Sequence, residues 1–335
     1  MSKTPTAKRF ALPAGPYIGL LAVFLIFVLM IGIKGELAQF LRFSNLQILL
    51  HEATIPGIVA LGALLVIISG GIDLSVGSVA ALVTVVTMQT YRGLYHGPTS
   101  IPMASLIAVA AGIAAGGACG LVNGLVITKL RITPFVATLG MFGVARGLAV
   151  WGANRTLVAF DRGTSPEWVA DLARVQVPII KFNPGFWSLI LLAILTAVLL
   201  RMTVLGRYIY AVGSNEATAR LCGVSVDRVK LAVYTLAGLL TGWAGILLFC
   251  HGSSGDPSAG EFLELEVIAA VVIGGASLNG GRGTVMGALT GVLILYVLKN
   301  GVSLFNVPVE MQYILTGAVI VANTALSQWQ RARKE

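Results

Sequence analysis

The stretch that decides the fold is IVALGALLVIISGGIDLSVGSVAALVTVV, residues 58–86. Two apolar runs flank a short polar segment in which glycines precede and follow Asp73. A charged side chain facing lipid in mid-membrane costs roughly 2.5–3.5 kcal/mol, so Asp73 must face protein, water or a helix end. The pattern predicts a membrane helix that is broken or re-entrant near residues 70–78.

Asp73 has two interpretations, and both stay open on the sequence. It would line a permeation path, or it would cap the N-terminus of the following helix, where Asp is a preferred residue. Ser75 and Ser78 would satisfy backbone groups that the break leaves without helical partners.

A similar pattern recurs at VIGGASLNGGRGTVMGAL, residues 272–289. It again has an apolar run, a glycine pair, a short polar break and then small residues. Paired interrupted helices in two halves of a transporter indicate a site between them. We therefore predict a second break near residues 274–283, with Asn279 as the counterpart of the polar residues in the first. Coincidence among glycine-rich membrane segments is the alternative.

The composition extends this interpretation to the whole chain. Of 335 residues, 56% are hydrophobic and 11% are charged, against about 25% charged in a soluble domain. The forty glycines suit closely packed membrane helices. We expect one all-α integral membrane domain over residues 1–335, a polytopic bundle of about ten helices. The predicted spans are residues 17–33, 53–69, 75–91, 103–127, 133–151, 186–201, 231–251, 264–279, 283–300 and 309–328.

The distribution of Lys and Arg predicts the orientation, because these residues accumulate in cytoplasmic loops. With the N-terminus inside and ten crossings, fourteen fall inside and seven outside. We expect a multi-pass protein with both termini in the cytoplasm. The net charge of +9 is then spread over separate loops, so it does not indicate nucleic-acid binding.

Two hydrophilic segments are long enough to matter. Residues 152–185 would form an extracytoplasmic loop with a short helix around residues 168–174. Residues 202–230 would lie in the cytoplasm and contain a helix over residues 216–222, capped by Asn215 and ended by Gly223. That helix would either dock into a soluble motor or lie on lipid headgroups, and its low hydrophobicity favours docking.

Nothing in the sequence indicates a catalytic, metal or nucleotide site. The three cysteines lack metal or redox spacing, the three histidines are isolated, and no G-x-x-x-x-G-K-[ST] motif is present. We expect no cofactor on this chain, so any ATP would be hydrolysed by a partner.

Two further features concern the helices. Glycines spaced by four predict close helix contacts that line a pathway or meet a second subunit; they are Gly112, Gly116, Gly120, Gly124, Gly283, Gly287 and Gly291. Arg146 lies within a predicted span, too far along it for direct pairing with Asp73, and is expected to reach the outer interface or a water-filled cavity.

Four stretches carry a resemblance to a known family: GGIDLSVGS at 70–78, TPFVATLGM at 133–141, GSNEATARLCGV at 213–224 and ELEVIAAVVIGGASLNGGRG at 264–283. The chain resembles the ribose/xylose/galactose class of ABC sugar permeases, within a superfamily that also holds branched-chain amino-acid permeases. The similarity covers nearly the whole chain in the same order.

The resemblance implies a bacterial inner-membrane importer, with a second permease subunit in the bilayer, an extracytoplasmic solute-binding protein and cytoplasmic ATPases that use ATP and Mg. It also implies that segment 202–230 couples to the ATPase. The candidate coupling residues are Gly213, Asn215, Glu216, Ala217, Arg220 and Gly223. The candidate residues of the solute path are Asp73, Ser75, Asn123, Phe135 and Asn279.

Alternatives remain at this stage. A branched-chain amino-acid or nucleoside permease belongs to the same superfamily, whereas an ion-coupled transporter would need more intramembrane carboxylates than Asp73. A membrane enzyme would need an acid pair or an activated nucleophile. Four acidic residues before the eighth span would dock the binding protein or form a solvated rim; they are Asp256, Glu261, Glu264 and Glu266.

Overall fold

The computed structural model describes residues 14–34, 37–161, 164–173 and 182–305, with single helical residues at 311, 314 and 317. These residues are mostly helical. The helices are α1 (Ala14–Lys34), α2 (Leu37–Phe40), α3 (Phe43–Glu52), α4 (Thr54–Ile68), α5 (Val76–Tyr95), α6 (Ile101–Lys129), α7 (Pro134–Gly152), α8 (Glu167–Ala173), α9 (Pro184–Met202), α10 (Val204–Ser214), α11 (Glu216–Leu221), α12 (Val226–Gly252), α13 (Leu263–Ile273) and α14 (Val285–Ser303).

Six of the described helices are long and apolar enough to cross a membrane, and a seventh span results if the bent pair α3–α4, with an angle of 42°, is counted as one. The six are α1, α6, α7, α9, α12 and α14. A multi-pass membrane protein is therefore confirmed, whereas ten spans are not reached within these residues.

Each predicted span that is missing from this count has a physical reason. Helix α5 has 20 residues, but Gln89 and Arg92 make its second half polar. Helix α13 has 11 residues, about 16 Å at 1.5 Å per residue, which is half of a hydrocarbon core. Helix α4 has 15 residues, so it is too short to cross the membrane without α3. The last predicted span, 309–328, lies almost entirely outside the described residues.

Helix α4 forms the centre of the bundle. All of its residues except Ile55 are buried, and it packs against α9, α12, α13 and α14. A methyl group added at Gly62 would lie 3.1 Å from the Ala237 Cα, so glycine allows α4 and α12 to approach backbone to backbone. Such packing stabilises helix pairs in lipid, where apolar burial between helices is no longer a driving force.

The predicted glycine contacts are found within the chain. Gly116 and Gly120 of α6 lie against Gly238 and Gly242 of α12, where an added methyl group at Gly116 would come within 2.7 Å of the Gly242 Cα. The glycines of α14 at 287 and 291 contact α13 and its C-terminal turn in the same way. Gly283 differs from the prediction, because it precedes α14 and contacts the end of α4.

Helix α12 connects the two ends of the bundle. Its 27 residues extend about 40 Å, from α11 to a two-stranded antiparallel pairing of β1 (Val158–Ala159) with β2 (Ser254–Gly255). We call these the α11 end and the β end. Helix α8 lies in the same connection between α7 and α9 as β1. It confirms the short helix predicted around residues 168–174.

Candidate functional site

The first break separates α4 from α5, and residues 71–75 are not helical. Asp73 is 5% exposed, and its Oδ1 accepts hydrogen bonds from the Ser75 backbone N–H at 2.8 Å and from the Ser75 hydroxyl at 2.6 Å. Ser75 is the N-cap residue of α5. Asp73 therefore holds Ser75, the residue that precedes α5, but it does not cap the helix itself, because α5 has no side-chain cap hydrogen bond.

Two neighbouring helices hold this break from the side. The Asn123 amide of α6 donates to the Ser75 hydroxyl at 3.1 Å. The Thr138 hydroxyl of α7 donates to the Ile72 carbonyl and accepts from the Leu74 N–H, each at 3.2 Å. The polar atoms of the break are thus satisfied by residues far away in sequence, as buried polar groups require.

Of the five predicted path residues, the structure brings three together. Asp73, Ser75 and Asn123 form one buried cluster. Phe135 lies one turn before Thr138 on α7 but is 51% exposed. Asn279 is exposed at the second break and does not belong to this cluster. That any of the five contacts solute remains a prediction.

The second break separates α13 from α14 over residues 274–284. It turns mainly through its own backbone: Gly280 and Gly281 have φ of +83° and +72°, a region that only glycine adopts readily. The Ser277 N–H donates to the Arg282 carbonyl at 3.0 Å. The Thr284 side chain caps α14 by accepting from the Gly287 N–H at 3.0 Å.

Both breaks meet the C-terminal end of α10. The Gly281 N–H of the second break donates to the Ile68 carbonyl at the end of α4, at 2.8 Å. Gly213 packs directly on this contact, so that a side chain there would collide with the Ile68 carbonyl and the Gly281 nitrogen. One turn earlier, the Tyr210 hydroxyl donates to the Gly283 carbonyl at 2.8 Å. Helix α10 therefore touches both interrupted helices at one point.

Helix α11 follows immediately, with the ends that the sequence predicts. The Asn215 side chain accepts from the Thr218 N–H at 2.9 Å and is the N-cap. Gly223, with φ of +82°, ends the turn after Leu221 and Cys222. The predicted cap and stop are confirmed, and the helix is one residue shorter than expected.

Charged side chains fasten α11 to the start of α12. Glu216 contacts Lys230 at 2.6 Å and Arg220 at 3.1 Å, and Arg220 also contacts Asp227 at 3.3 Å. Partial burial raises the pKa of Glu216, but the hydrogen bonds and positive charges of Lys230 and Arg220 outweigh this, so its pKa falls below the usual 4.5. Glu216 is therefore ionised near neutral pH, and its direct role is to hold α11 in place.

The opposite face of α11 is open. Ala219 is buried towards the bundle, whereas Leu221 is 89% exposed, and Ala217, Arg220 and Cys222 are exposed beside it. A leucine this exposed, on a helix that ion pairs hold against the rest of the bundle, indicates a contact surface. Sequence reasoning missed Leu221, although an apolar residue closing a polar, capped helix was a readable signal.

Comparison with known proteins agrees with these features. Residues 45–324 match the family model described as branched-chain amino acid transport system / permease component. The chain is 37% identical over 316 residues to the L-arabinose ABC transporter permease protein of Azospirillum brasilense, covering 94% of this chain and 88% of that protein. The chain belongs to this permease family.

Two further relatives are also import permeases. The permease is 36% identical to the fructose import permease protein of Rhizobium meliloti, over 88% of this chain and 80% of that protein. It is 38% identical to the ribose import permease protein of Escherichia coli K12, over 88% and 89% respectively. No solved structure matches it significantly. Membership of a family of transport subunits confirms that the permease is not an enzyme.

At the β end, the permease places Arg146 as expected, away from Asp73. Its guanidinium donates to the carbonyls of Pro257 and Ala259 at 2.6 and 3.2 Å. These carbonyls belong to the loop between β2 and α13. Arg146 therefore braces a loop at the β end and does not enter the polar cluster of the first break.

The four acidic residues near α13 do not form one surface. Glu264 is buried, close to Gly77 of α5, and its Oε2 has no hydrogen-bond partner among the described residues. Glu266 is paired with Lys299 of α14. Asp256 and Glu261 are left nearer solvent, so a joint docking surface of all four is not supported.

Proposed function

We propose that this chain is the membrane-spanning permease subunit of an ABC importer for a monosaccharide or a related polyol. The solutes named for its relatives support this class, since arabinose, fructose and ribose are all sugars. The family description names branched-chain amino acids instead, and a permease for those solutes or for nucleosides is the alternative.

The observation that carries the proposal is the linkage of α11 to both breaks. Helix α11 exposes Leu221 outwards and is fastened to α12 by Glu216. Only Ser214 and Asn215 separate it from Gly213, which packs on both interrupted helices. A movement imposed on α11 by an ATPase would pass through α10 to the ends of α4 and α13. Rigid, closely packed contacts of this kind transmit displacement.

In this mechanism the solute arrives from a binding protein outside. Closure of the ATPases on ATP pushes α11, and the shift at Gly213 moves the two broken helices relative to α12. The path between two permease subunits opens on one side of the membrane while it closes on the other. The permease itself performs no bond chemistry and needs no cofactor of its own.

We further propose ten crossings, with the α11 end and both termini in the cytoplasm of a bacterial cell and the 152–185 loop outside. The charges support this orientation, because the α11 end carries more basic residues than the β end. At the α11 end these are Lys129, Arg131, Arg201, Arg207, Arg220, Arg228, Lys230 and Arg282; at the β end the described residues include Arg42, Arg92, Arg146, Arg155 and Lys299.

The test is reconstitution in proteoliposomes with the cognate ATPase and binding protein, using L-arabinose, D-ribose, D-fructose and L-leucine as solutes. We expect ATP-dependent uptake of a sugar. Leu221→Asp should abolish uptake and ATPase binding, whereas Leu157→Asp, an equally drastic change at an exposed leucine of the β end, should preserve ATPase binding. Uptake of leucine alone would favour the alternative, and unchanged ATPase binding by Leu221→Asp would refute the docking role.

A further inference from the structure

A polar cavity of about 640 Å³ lies at the β end, bordered by α3, the end of α12, the start of α13 and the end of α14. This size is within the roughly 300–1,000 Å³ of small-molecule sites. Its lining includes three carboxylates, two imidazoles, one ammonium group, one phenol and three side-chain amides. Such a set both donates and accepts hydrogen bonds, as recognition of hydroxyl groups requires.

Contacts between distant helices hold much of this lining in place. The amides of Asn45 and Asn300 donate to each other at 2.9 Å. The rings of His51 and His251 stack with centroids 5.3 Å apart, and His51 also contacts the Asn183 amide at 2.6 Å. Side chains fixed in this way lose little freedom when a ligand binds, which favours affinity.

The cavity lining has more carboxylates than ammonium groups. Glu266 and Lys299 form an ion pair, to which the Tyr296 hydroxyl adds a hydrogen bond at 3.3 Å. Because these two charges neutralise each other, the remaining carboxylates, Glu52 and Glu261, set the sign. Both are exposed and line the cavity, Glu52 at the end of α3 and Glu261 in the turn before α13. The carboxylates of the lining outnumber its single ammonium group, so the cavity is electronegative.

The polar cluster of the first break is enclosed by the surrounding helices. Asp73, Ser75 and Asn123 are buried and already hydrogen-bonded to one another. A solute entering there would have to replace satisfied bonds. The β-end cavity instead is open and presents polar groups on several sides, so it is the better place for a first contact with solute.

We propose that the β-end cavity is an entry site at which the permease holds a neutral polyhydroxylated molecule and rejects anionic ones. The inference rests on the proposed function and deepens it, since it adds a solute site and a charge filter within the permease. Like charge facing like charge is an effective means of discrimination. Sugar acids, sugar phosphates and free carboxylates would be excluded, while neutral sugars would pass.

The test uses the full chain in proteoliposomes with a reporter cysteine in the cavity, Ser303→Cys, and with the exposed Cys222 changed to Ser. Cationic and anionic thiosulfonate reagents are compared. The control reporter is Glu167→Cys, which is exposed at the β end outside the cavity. We expect the ratio of cationic to anionic labelling to be at least about fivefold higher at 303 than at 167. The double change Glu52→Gln and Glu261→Gln should remove that excess.

The second part of the test measures whether a sugar protects the reporter cysteine from labelling. L-arabinose, D-ribose and D-fructose are added at millimolar concentration, and the transported sugar should slow labelling at 303 several-fold without affecting 167. Equal labelling ratios at the two positions, or no protection by a sugar that the reconstituted importer transports, would overturn the cavity proposal. If no sugar is transported, the proposed function itself fails. Gln39→Cys, also on the cavity lining, replaces the reporter if Ser303→Cys does not insert.

Discussion

The two broken helices look alike in sequence but are built differently. The first break buries its polar atoms and is held by side chains from other helices, Asn123 and Thr138. The second break exposes Leu278, Asn279 and Arg282 and turns through its own glycines, while Thr284 caps the helix that follows. Both nevertheless meet at Gly213. A shared glycine pattern therefore indicates where a helix stops and meets α10, and the surrounding helices decide what the break contains.

The largest effect should come from filling the shared contact. Gly213→Ala places a methyl group against two backbone atoms, the Ile68 oxygen and the Gly281 nitrogen, which cannot move independently. Overpacking of this kind costs about 1–3 kcal/mol or more. We expect a marked fall in melting temperature and loss of uptake. Gly93→Ala, where an added methyl group meets nothing within 4 Å, is the control. Wild-type melting and uptake in Gly213→Ala would contradict the joint contact.

The next effect separates the two breaks. Asp73→Ala removes the acceptor of both Ser75 hydrogen bonds at a buried site, which should cost about 1–3 kcal/mol. Asp73→Asn keeps one oxygen and should lose less. Asn279→Ala at the exposed break should change stability by no more than about 0.5 kcal/mol. Thermal unfolding of the purified proteins measures all three, and equal losses at 73 and 279 would show that the two breaks contribute alike to stability.

A third test addresses helix α11, which joins the breaks to the proposed ATPase. Glu216→Lys breaks the contacts with Lys230 and Arg220. Exposed pairs contribute only about 0–1 kcal/mol each, so the protein should stay folded while ATP hydrolysis is uncoupled from uptake. Arg220→Glu should act in the same direction. Glu167→Lys at the β end is the matched control. Wild-type uptake by Glu216→Lys in proteoliposomes would refute the coupling role.

The smallest effect is a pH dependence. The pKa of Glu216 is lower in the folded protein than its usual 4.5, so its contribution to stability is present above that value and is lost as pH falls through the folded pKa. The difference in melting temperature between wild type and Glu216→Gln should be constant from about pH 5 to 8 and shrink below it. A difference that grows on acidification would have the wrong sign.

Local sequence predicted the local structure of the site. Asn215 and Gly223 mark the ends of α11 because capping and left-handed backbone depend on neighbouring residues alone. The glycines of both breaks predicted the interruptions for the same reason.

Contacts between distant parts of the chain could not be predicted in this way. The packing of Gly213 on Ile68 and Gly281, the pairing of Glu266 with Lys299 and the cavity lined by His51 and His251 all depend on the three-dimensional arrangement. Ten spans are not reached within the described residues, and hydropathy windows do not reveal that α13 ends after 11 residues.

The central claim is that α11 faces the cell interior and binds a separate ATPase. Native Cys222 tests it directly, because it is exposed directly after α11 whereas Cys119 is half-buried and Cys250 is buried. A membrane-impermeant maleimide should label the protein in inside-out vesicles but not in intact cells, and added ATPase should slow the labelling. Cys222→Ser should abolish the signal. Labelling of Cys222 from outside intact cells, or labelling unaffected by bound ATPase, would contradict the account.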